Sequence, residues 1–403
     1  MSRVFASLIA VAFASNVFAA DEQKVEGRTK TEWIKIYQDE KSMPRARAGA
    51  IAALCQFEQR DGAIISTVST ALLQDKADRV RLIAVQGVIA ILAKSTRDEA
   101  ALVDALGKSL STDASEEIRR KNAELIKELK KEYLRRLAPV VADVLKSDKS
   151  PAVRAAAAVV LGRTEEHAKT VLAAMVDALK DSDPTVRAAV AESFGRIGDE
   201  AKVAVPGLKT LLKDMDASVR LAGTFALGRV GPEGASAVPE LMAVLASDMD
   251  TAVRKEAARA FSLLGLDAKA GVPALAKALR EDKSEEVRQQ AATALGKMRG
   301  ETRDAVAAMI DAMKNDKDKT VRVFVIHALG DSLGDGLRGY VKDFADQLIK
   351  DPEADVRLAL VQELGQLGPA AKEALPALQR AATDVQLSVR NEAKAAVKKV
   401  MGQ

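Results

Sequence analysis

An aspartate followed six residues later by an arginine recurs along the chain, and valine usually precedes the arginine. A guanidinium can bind a carboxylate through two parallel hydrogen bonds, so the pair could form a charged ligand site or a structural ladder. Because the pair recurs in almost every segment of similar length, we expect the ladder. The regular pairs are Asp148/Arg154, Asp181/Arg187, Asp214/Arg220, Asp248/Arg254, Asp282/Arg288, Asp316/Arg322, Asp351/Arg357 and Asp384/Arg390, and looser copies are Asp113/Arg119, Asp75/Arg81 and Asp39/Arg45.

The histidines and the cysteine do not form a catalytic or metal-binding pattern. His167 and His327 are 160 residues apart, and a zinc site or a nucleophilic triad would need further ligands or a nucleophile beside one of them. The single cysteine, Cys55, falls in the apolar run AIAALCQF, which favours a buried, unreactive thiol over an intermolecular disulfide or a reactive group. We therefore predict no catalytic residues, no metal and no cofactor.

The spacing of the arginines defines a repeat of two helices. Successive regular arginines are separated by 33, 33, 34, 34, 34, 35 and 33 residues. In the repeat at 205–231, Pro206 begins one helix, a polar turn follows at 214–217, and a second helix is predicted to run from Ala217 to Arg229. Equivalent helix starts are predicted at Pro139, Pro239, Pro273 and Pro376. A single hairpin of this kind cannot bury its apolar face, so neighbouring hairpins must stack.

The consensus A-V-P-x-L-x-x-L-L-x-D-x-D-x-x-V-R-x-x-A-A-x-A-L-G-x-I-G resembles HEAT repeats, in particular the bacterial HEAT-like subgroup also found in phycobilisome lyases. The resemblance covers about residues 31–400. It implies an all-α, right-handed α-solenoid of about eleven stacked helical hairpins. In related repeats, the Asp–Arg pair ties the hairpin turn to its own second helix and to that of the next repeat, and the second helices line the concave surface. Such arrays serve as scaffolds, adaptors, inhibitors and occasionally enzymes.

Positions that vary between the repeats are the candidates for partner binding. Residues one, five and nine positions after the repeated arginine share one face of the second helix, and the resemblance places that face in the groove. There, three arginines at successive repeats could bind an acidic peptide or another polyanion, and apolar side chains lie at nearby positions. The alternative interpretation is that a basic residue is simply common at the end of these helices, where it is solvated and binds no partner. The candidate residues are Arg163, Arg196, Arg229, Phe225, Leu221, Arg259, Val323 and His327.

The amino-terminal sequence is typical of a secretory signal. Arg3 precedes the apolar stretch VFASLIAVAFA, and small residues follow near Ala19. We expect a signal peptide at 1–19, a polar linker at 20–30 and the repeat array at 31–403, with a secreted or periplasmic location. No later apolar run is long enough to cross a membrane.

The signal sequence, the long solenoid surface and the lack of a catalytic constellation predict an extracytoplasmic scaffold that binds protein partners along its concave face without catalytic activity. Hydrophobic residues make up 48% of the chain but aromatic residues only 3%, which suits closely packed helices of small aliphatic residues. The formal net charge of +4 and the scarcity of aromatic residues argue against nucleic acid as a partner. We therefore expect a protein or peptide partner, and the arginines favour an acidic one. The alternative is an enzyme or an enzyme accessory resembling phycobilisome lyases.

Overall fold

The computed structural model of the chain describes residues 23–58, 60–95, 99–164, 169–299 and 303–403. Within these ranges the secondary structure is helical, apart from one isolated β-bridge between Val25 and Arg28. The predicted signal peptide at 1–19 and His167 lie outside the described residues.

The described residues form eleven consecutive pairs of α-helices. They are α1 (Lys30–Gln38) and α2 (Pro44–Leu54); α3 (Gly62–Gln74) and α4 (Asp78–Lys94); α5 (Ala100–Thr112) and α6 (Glu116–Ile126); α7 (Lys131–Ser147) and α8 (Pro151–Leu161); α9 (Lys169–Ala178) and α10 (Pro184–Ile197); α11 (Val205–Leu211) and α12 (Ala217–Leu227); α13 (Val238–Ser247) and α14 (Thr251–Leu264); α15 (Val272–Glu281) and α16 (Glu285–Lys297); α17 (Val306–Asn315) and α18 (Lys319–Leu333); α19 (Val341–Lys350) and α20 (Ala354–Gln366); α21 (Leu375–Ala381) and α22 (Leu387–Met401).

Short 3₁₀-helices lead into the first helices of the later pairs. They span Gly198–Ala204, Pro232–Ala237, Gly265–Gly271, Arg303–Ala305, Gly334–Tyr340 and Gly368–Ala374.

Capping residues explain where the second helices begin and end. Asp183 caps α10 by accepting a hydrogen bond from the backbone N–H of Thr185, and Asp250 caps α14 in the same way from Ala252. At the end of α10 the chain reverses at Gly198, whose φ of 75° lies in the left-handed region that favours glycine. At these helices the local sequence therefore sets where the helix begins or ends.

One predicted helix start is wrong. Pro139 lies inside α7, which begins at Lys131 rather than at the proline. The extra turns carry Leu134 and Leu137, which are buried, so burial of apolar side chains offsets the cost of the missing backbone donor at the proline.

The chain divides into two compact units, Met1–Ala178 and Leu179–Gln403. In the first unit, first helices pack on first helices and second helices on second helices, which makes two layers. In the second unit, the second helices pack side by side in chain order, and each first helix packs on the second helix of its own pair. The fifth pair is divided between the units. The fold is an all-α solenoid of helical hairpins.

The core of each unit consists mainly of alanine, leucine, valine and isoleucine. The largest fully buried side chains are Phe194, Phe261 and Phe344, all in the second unit. At the amino-terminal end, Trp33 is 5% exposed and donates a hydrogen bond from its indole nitrogen to the Val25 carbonyl at 2.9 Å. Within the described ranges, no helix is both long and apolar enough to cross a membrane.

Candidate functional site

The repeated arginines form a hydrogen-bonded ladder. In nine links among the described residues, Nε and one terminal nitrogen of the guanidinium donate to the two carboxylate oxygens of an aspartate in the turn of the next repeat, over 2.7 to 3.0 Å. These links are Arg47–Asp75, Arg81–Asp113, Arg119–Asp148, Arg187–Asp214, Arg220–Asp248, Arg254–Asp282, Arg288–Asp316, Arg322–Asp351 and Arg357–Asp384.

Each ladder residue also bonds the backbone of a turn. The guanidinium of Arg220 donates to the carbonyl of Asp214 in its own turn at 3.0 Å, and Asp214 Oδ1 accepts the backbone N–H of Asp216 at 3.0 Å. Equivalent arginine-to-carbonyl bonds occur at Arg154 and Arg390. One arginine therefore fastens the turn of its own repeat and the turn of the next repeat together.

The direction of the ladder differs from the expectation. The side-chain link runs from an arginine on the second helix of one repeat to the aspartate in the turn of the next repeat. Each turn is therefore held by the second helix of its own repeat and by the second helix of the preceding repeat. In the first repeat the bonding arginine is Arg47, which binds Asp75 and the Ser42 carbonyl, whereas Arg45 is exposed.

Electrostatics hold the ladder in its charged form. The hydrogen bond from Arg187 lowers the pKa of Asp214 below its ordinary value, and the same bond raises the pKa of Arg187. Arg357 lowers the pKa of Asp384 in the same way. Because each arginine bonds both its own turn and the aspartate of the next turn, the ladder joins consecutive repeats.

A second group of side chains lies on the exposed face of three successive second helices in the second unit. We call it the Phe225 surface. It consists of Glu192 and Arg196 on α10, Leu221 and Phe225 on α12, Arg229 just beyond α12, and Glu256, Arg259 and Leu263 on α14.

Phe225 is positioned by a glycine on the neighbouring helix. A Cβ atom at Gly195 would lie 2.5 Å from Phe225 Cε1, so the aromatic ring occupies the space that a side chain at position 195 would fill. The Arg229 guanidinium stacks over this ring, 4.7 Å from its centroid. Such stacking leaves the N–H groups at the edge of the guanidinium directed away from the ring.

Acidic side chains accompany the other arginines of the Phe225 surface. Arg196 lies 3.3 Å from Glu192, and Arg259 lies 3.4 Å from Glu256. Burial raises the pKa of Glu256, and the nearby charges of Arg259 and Arg229 act in the opposite direction. Glu256 Oε1 is buried without a hydrogen-bond partner. The surface therefore alternates in charge and is not a continuous basic stripe.

Apolar side chains complete the Phe225 surface. Leu263 is 47% exposed, and its Cδ1 lies 3.4 Å from where a Cβ of Gly228 would stand. Leu221 and Phe225 are half-buried. An aromatic ring, a stacked cation and exposed leucine in one place can contact a partner through both apolar and charged groups.

The remaining sequence candidates lie elsewhere. Arg163 is exposed in the first unit. Val323 and His327 lie on α18, two repeats after α14. His327 Nδ1 is 2.8 Å from Glu363 Oε1, and this hydrogen bond raises the pKa of His327. The structure thus brings together five of the eight candidates: Arg196, Leu221, Phe225, Arg229 and Arg259.

Sequence reasoning missed Glu256, which lies two positions after its repeat arginine, outside the positions considered. The sequence offered one signal for it, since Glu256 precedes Arg259 by three residues on the same predicted helix. Phe324 on α18, which is 38% exposed, was also missed.

Cys55 lies in the first unit, beside Gly87 on the neighbouring second helix. Burial raises the pKa of its thiol to about 12. A thiolate is therefore disfavoured at neutral pH, although the residue is only half-buried. Across the described ranges, no group of three or more histidine, cysteine, aspartate or glutamate side chains could hold a metal ion.

Comparison with known proteins agrees with the architecture. A family model described as HEAT repeats matches residues 138–211, 205–272 and 272–337. A search of curated proteins finds no match.

Solved structures with a similar fold include karyopherins. Yeast importin-β (Kap95p) has 15% sequence identity and a TM-score of 0.60, over 92% of this chain and 57% of the importin. Kap95p in a structure with RanGDP has 14% identity and a TM-score of 0.59, over 92% and 56% of the two chains. Kap121p bound to the extreme C-terminus of the phosphatase Cdc14p has 12% identity and a TM-score of 0.59, over 99% and 49%.

The chain thus spans about half the length of these karyopherins, and at such low identity the likeness concerns the fold alone. The repeated sequence, the match to the family model and the stacked hairpins together show that this chain belongs to the HEAT-repeat proteins.

Proposed function

We propose that this chain is a non-catalytic, extracytoplasmic scaffold that binds a protein partner at the Phe225 surface. The observation that carries the proposal is the exposed stack of Arg229 on Phe225, seated against Gly195 and flanked by Leu263. Aromatic and arginine side chains contribute most of the binding energy at many protein interfaces. The stack is preorganised, so little side-chain entropy is lost when a partner binds.

The chemistry of the surface favours a peptide segment that carries a carboxylate next to an apolar side chain. The edge of the Arg229 guanidinium can donate two hydrogen bonds to one carboxylate. Arg196 and Arg259 each donate a hydrogen bond to a glutamate, whereas Arg229 stacks on Phe225 with the charge of Glu256 nearby, so we assign the carboxylate contact to Arg229. The karyopherins of similar fold were solved with protein partners, Kap95p with RanGDP and Kap121p with the C-terminus of Cdc14p, which supports a protein partner for this chain as well.

A displayed library of random twelve-residue peptides would test this binding. We expect the purified protein to select peptides that combine an aspartate or glutamate with a leucine or an aromatic residue. A selected peptide should lose at least about tenfold in affinity on Arg229→Glu, which corresponds to about 1.4 kcal/mol. Phe225→Ser should weaken the same peptide, and added salt should weaken it in the wild type.

Arg280→Glu is the matched control, because Arg280 is exposed on a first helix of the same unit and the charge change is the same. If Arg280→Glu weakens the peptide as much as Arg229→Glu does, the effect is one of net charge and the assigned site is wrong. Selection of peptides without acidic residues would show that Arg229 does not bind a carboxylate of the partner.

The location rests on the amino-terminal sequence and has its own test. Expression of the full chain in a Gram-negative host should release a mature protein beginning at Ala20 or Asp21 into the periplasmic fraction. Mass spectrometry of the intact protein measures this directly. An uncleaved protein that stays with the cytoplasmic fraction would contradict the extracytoplasmic location without affecting the peptide-binding test.

A further inference from the structure

The outward side of α13 lacks the charges that its neighbours carry. At three equivalent exposed positions, α13 has Ala243, Ala246 and Ser247, where α15 has lysine, arginine and glutamate. The corresponding residues of α15 are Lys277, Arg280 and Glu281, and those of α17 are Asp311, Lys314 and Asn315. A surface helix normally directs charged side chains towards water, so α13 exposes an uncharged face at these positions.

Two methionines extend this face, Met215 in the turn between α11 and α12 and Met249 in the turn between α13 and α14. Met215 is 98% exposed and Met249 is 96% exposed, at equivalent positions of consecutive repeats. A methionine side chain is flexible and polarisable, which suits an apolar contact with another surface. Together with Met242, Ala243 and Ala246 these side chains form what we call the α13 surface.

The α13 surface has the shape of one ridge between two grooves. The groove between α13 and α15 has a volume of about 1110 Å³, and its walls include Met242, Ala246 and Ala274. The groove between α11 and α13 has a volume of about 610 Å³ and includes Met215 and Pro239. Helices pack by placing the ridge of one into the groove of another. A ridge beside a groove is complementary to a second copy of itself.

The charges at the edges of the two grooves balance. Apart from the ladder pairs, the groove walls carry three basic and three acidic residues, so no net charge repels an identical surface. They are Lys213, Lys277 and Lys283, and Glu240, Glu281 and Glu285. A partner with a strong charge of either sign would gain little here, whereas an identical surface offers both signs in equal number.

We propose that the α13 surface is the interface of a homodimer, in which α13 of each copy lies in the α13–α15 groove of the other. A two-fold arrangement of this kind is closed, so it buries both ridges and leaves no free copy of the surface. Met215 and Met249 pack against the partner, and Lys277 and Glu281, whose charged atoms lie 4.0 Å apart, stand at the edge of the groove. The interface is separate from the Phe225 surface, which lies on second helices.

Sedimentation velocity of the purified protein between about 1 and 200 µM tests the dimer. We expect the mass to approach twice that of one chain as concentration rises. The double variant Met215→Glu, Met249→Glu should weaken association at least about a hundredfold, because two carboxylates would be buried in each half of the interface. Both methionines are almost fully exposed, so the variant should keep the helical circular dichroism of the wild type.

Met43→Glu is the matched control, since Met43 is 72% exposed and lies in the first unit. This variant should dimerise as the wild type does. A wild type that remains monomeric at 200 µM overturns the proposal, and so does a double variant that dimerises normally. Binding of some other protein to the α13 surface of a monomeric chain would count against a homodimer.

Cross-linking gives an independent measurement. In a Cys55→Ala background, Ala246→Cys should form an intermolecular disulfide on mild oxidation because it lies on the ridge near the two-fold axis. Lys314→Cys, at the equivalent position of α17, should form much less. Equal cross-linking at both positions would mean that the contact is random collision.

Discussion

The ladder arginines show how one side chain joins two repeats. Arg288 is 4% exposed and places its guanidinium on Asp316, on the Asp282 carbonyl and on the Lys283 carbonyl. Removing one partner of such a pair leaves the other charge buried without compensation, which costs more than the pair itself contributes.

We therefore expect Arg288→Ala to lower the free energy of unfolding by about 3–5 kcal/mol. Arg390→Ala should cost only about 1 kcal/mol, because Arg390 donates to carbonyls of its own turn, those of Asp384 and Val385. Urea unfolding followed by circular dichroism measures both variants. Equal losses would show that the carboxylate link contributes nothing beyond the bonds to the turn.

The link between His327 and Glu363 makes one inter-repeat contact depend on pH. The hydrogen bond to buried Glu363 raises the pKa of His327 in the folded protein above its value of about 6.5 in the unfolded chain. The stabilisation is therefore complete below that unfolded value and is lost as the pH rises through the folded value. The nearby Asp331 acts in the same direction as Glu363.

The wild type should thus exceed His327→Gln in stability by more at pH 5.5 than at pH 8.5. Urea midpoints of both proteins at the two pH values measure this difference, and the comparison with the variant cancels the titration of other groups. A difference that does not change with pH would show that the histidine remains neutral and only packs.

At the scale of helices, a missing side chain allows the second helices to approach closely. Gly195 lies under the Phe225 ring, and Gly296 approaches Ala328 so that an added Cβ would lie 3.0 Å from the Ala328 Cα. A methyl group at either position must move its neighbour. The glycines near the ends of second helices therefore set the helix spacing and, at Gly195, the position of Phe225.

Gly195→Ala should lower stability by about 1–3 kcal/mol, in spite of the better helix propensity of alanine, because the added methyl group overlaps the Phe225 ring. Gly49→Ala on α2, where no atom lies within 4 Å of the added carbon, should instead gain up to about 1 kcal/mol. Thermal unfolding compares the pair. If both variants gain stability, the Phe225 ring can move without cost and the surface is less ordered than we describe.

At the scale of the whole molecule, the order of helices follows from local signals that the sequence displays. Three local signals mark the helix pairs: the prolines Pro239 and Pro273, the turn aspartates and the regular arginines. Each of them acts on only a few neighbouring backbone groups. The first repeat shows the limit of this reasoning. Arg45 and Arg47 are both near the expected position, and only the packing of α2 determines that Arg47 faces Asp75.

The candidate site was harder to predict from the sequence, because it too depends on how helices pack against one another. Counting from the repeat arginine correctly placed Phe225 and Arg229 near one another, since both belong to one short segment. Whether Glu256 approaches Arg229 depends on the separation and rotation of two helices, and those depend on the small residues between them. The uncharged face of α13 is visible as alanines in the sequence, but its two grooves exist only once the first helices are placed.

The one-way direction of the ladder has a consequence for how the protein is made. A ribosome releases the chain from its amino-terminal end, and each turn aspartate accepts its side-chain bonds from an arginine earlier in the sequence, as Asp248 does from Arg220. Within a unit, each newly emerging hairpin therefore meets a donor that is already in place on a finished helix. Folding can therefore proceed in the direction in which the chain emerges, one repeat at a time, because the side-chain link to a turn aspartate needs no residue from a later repeat.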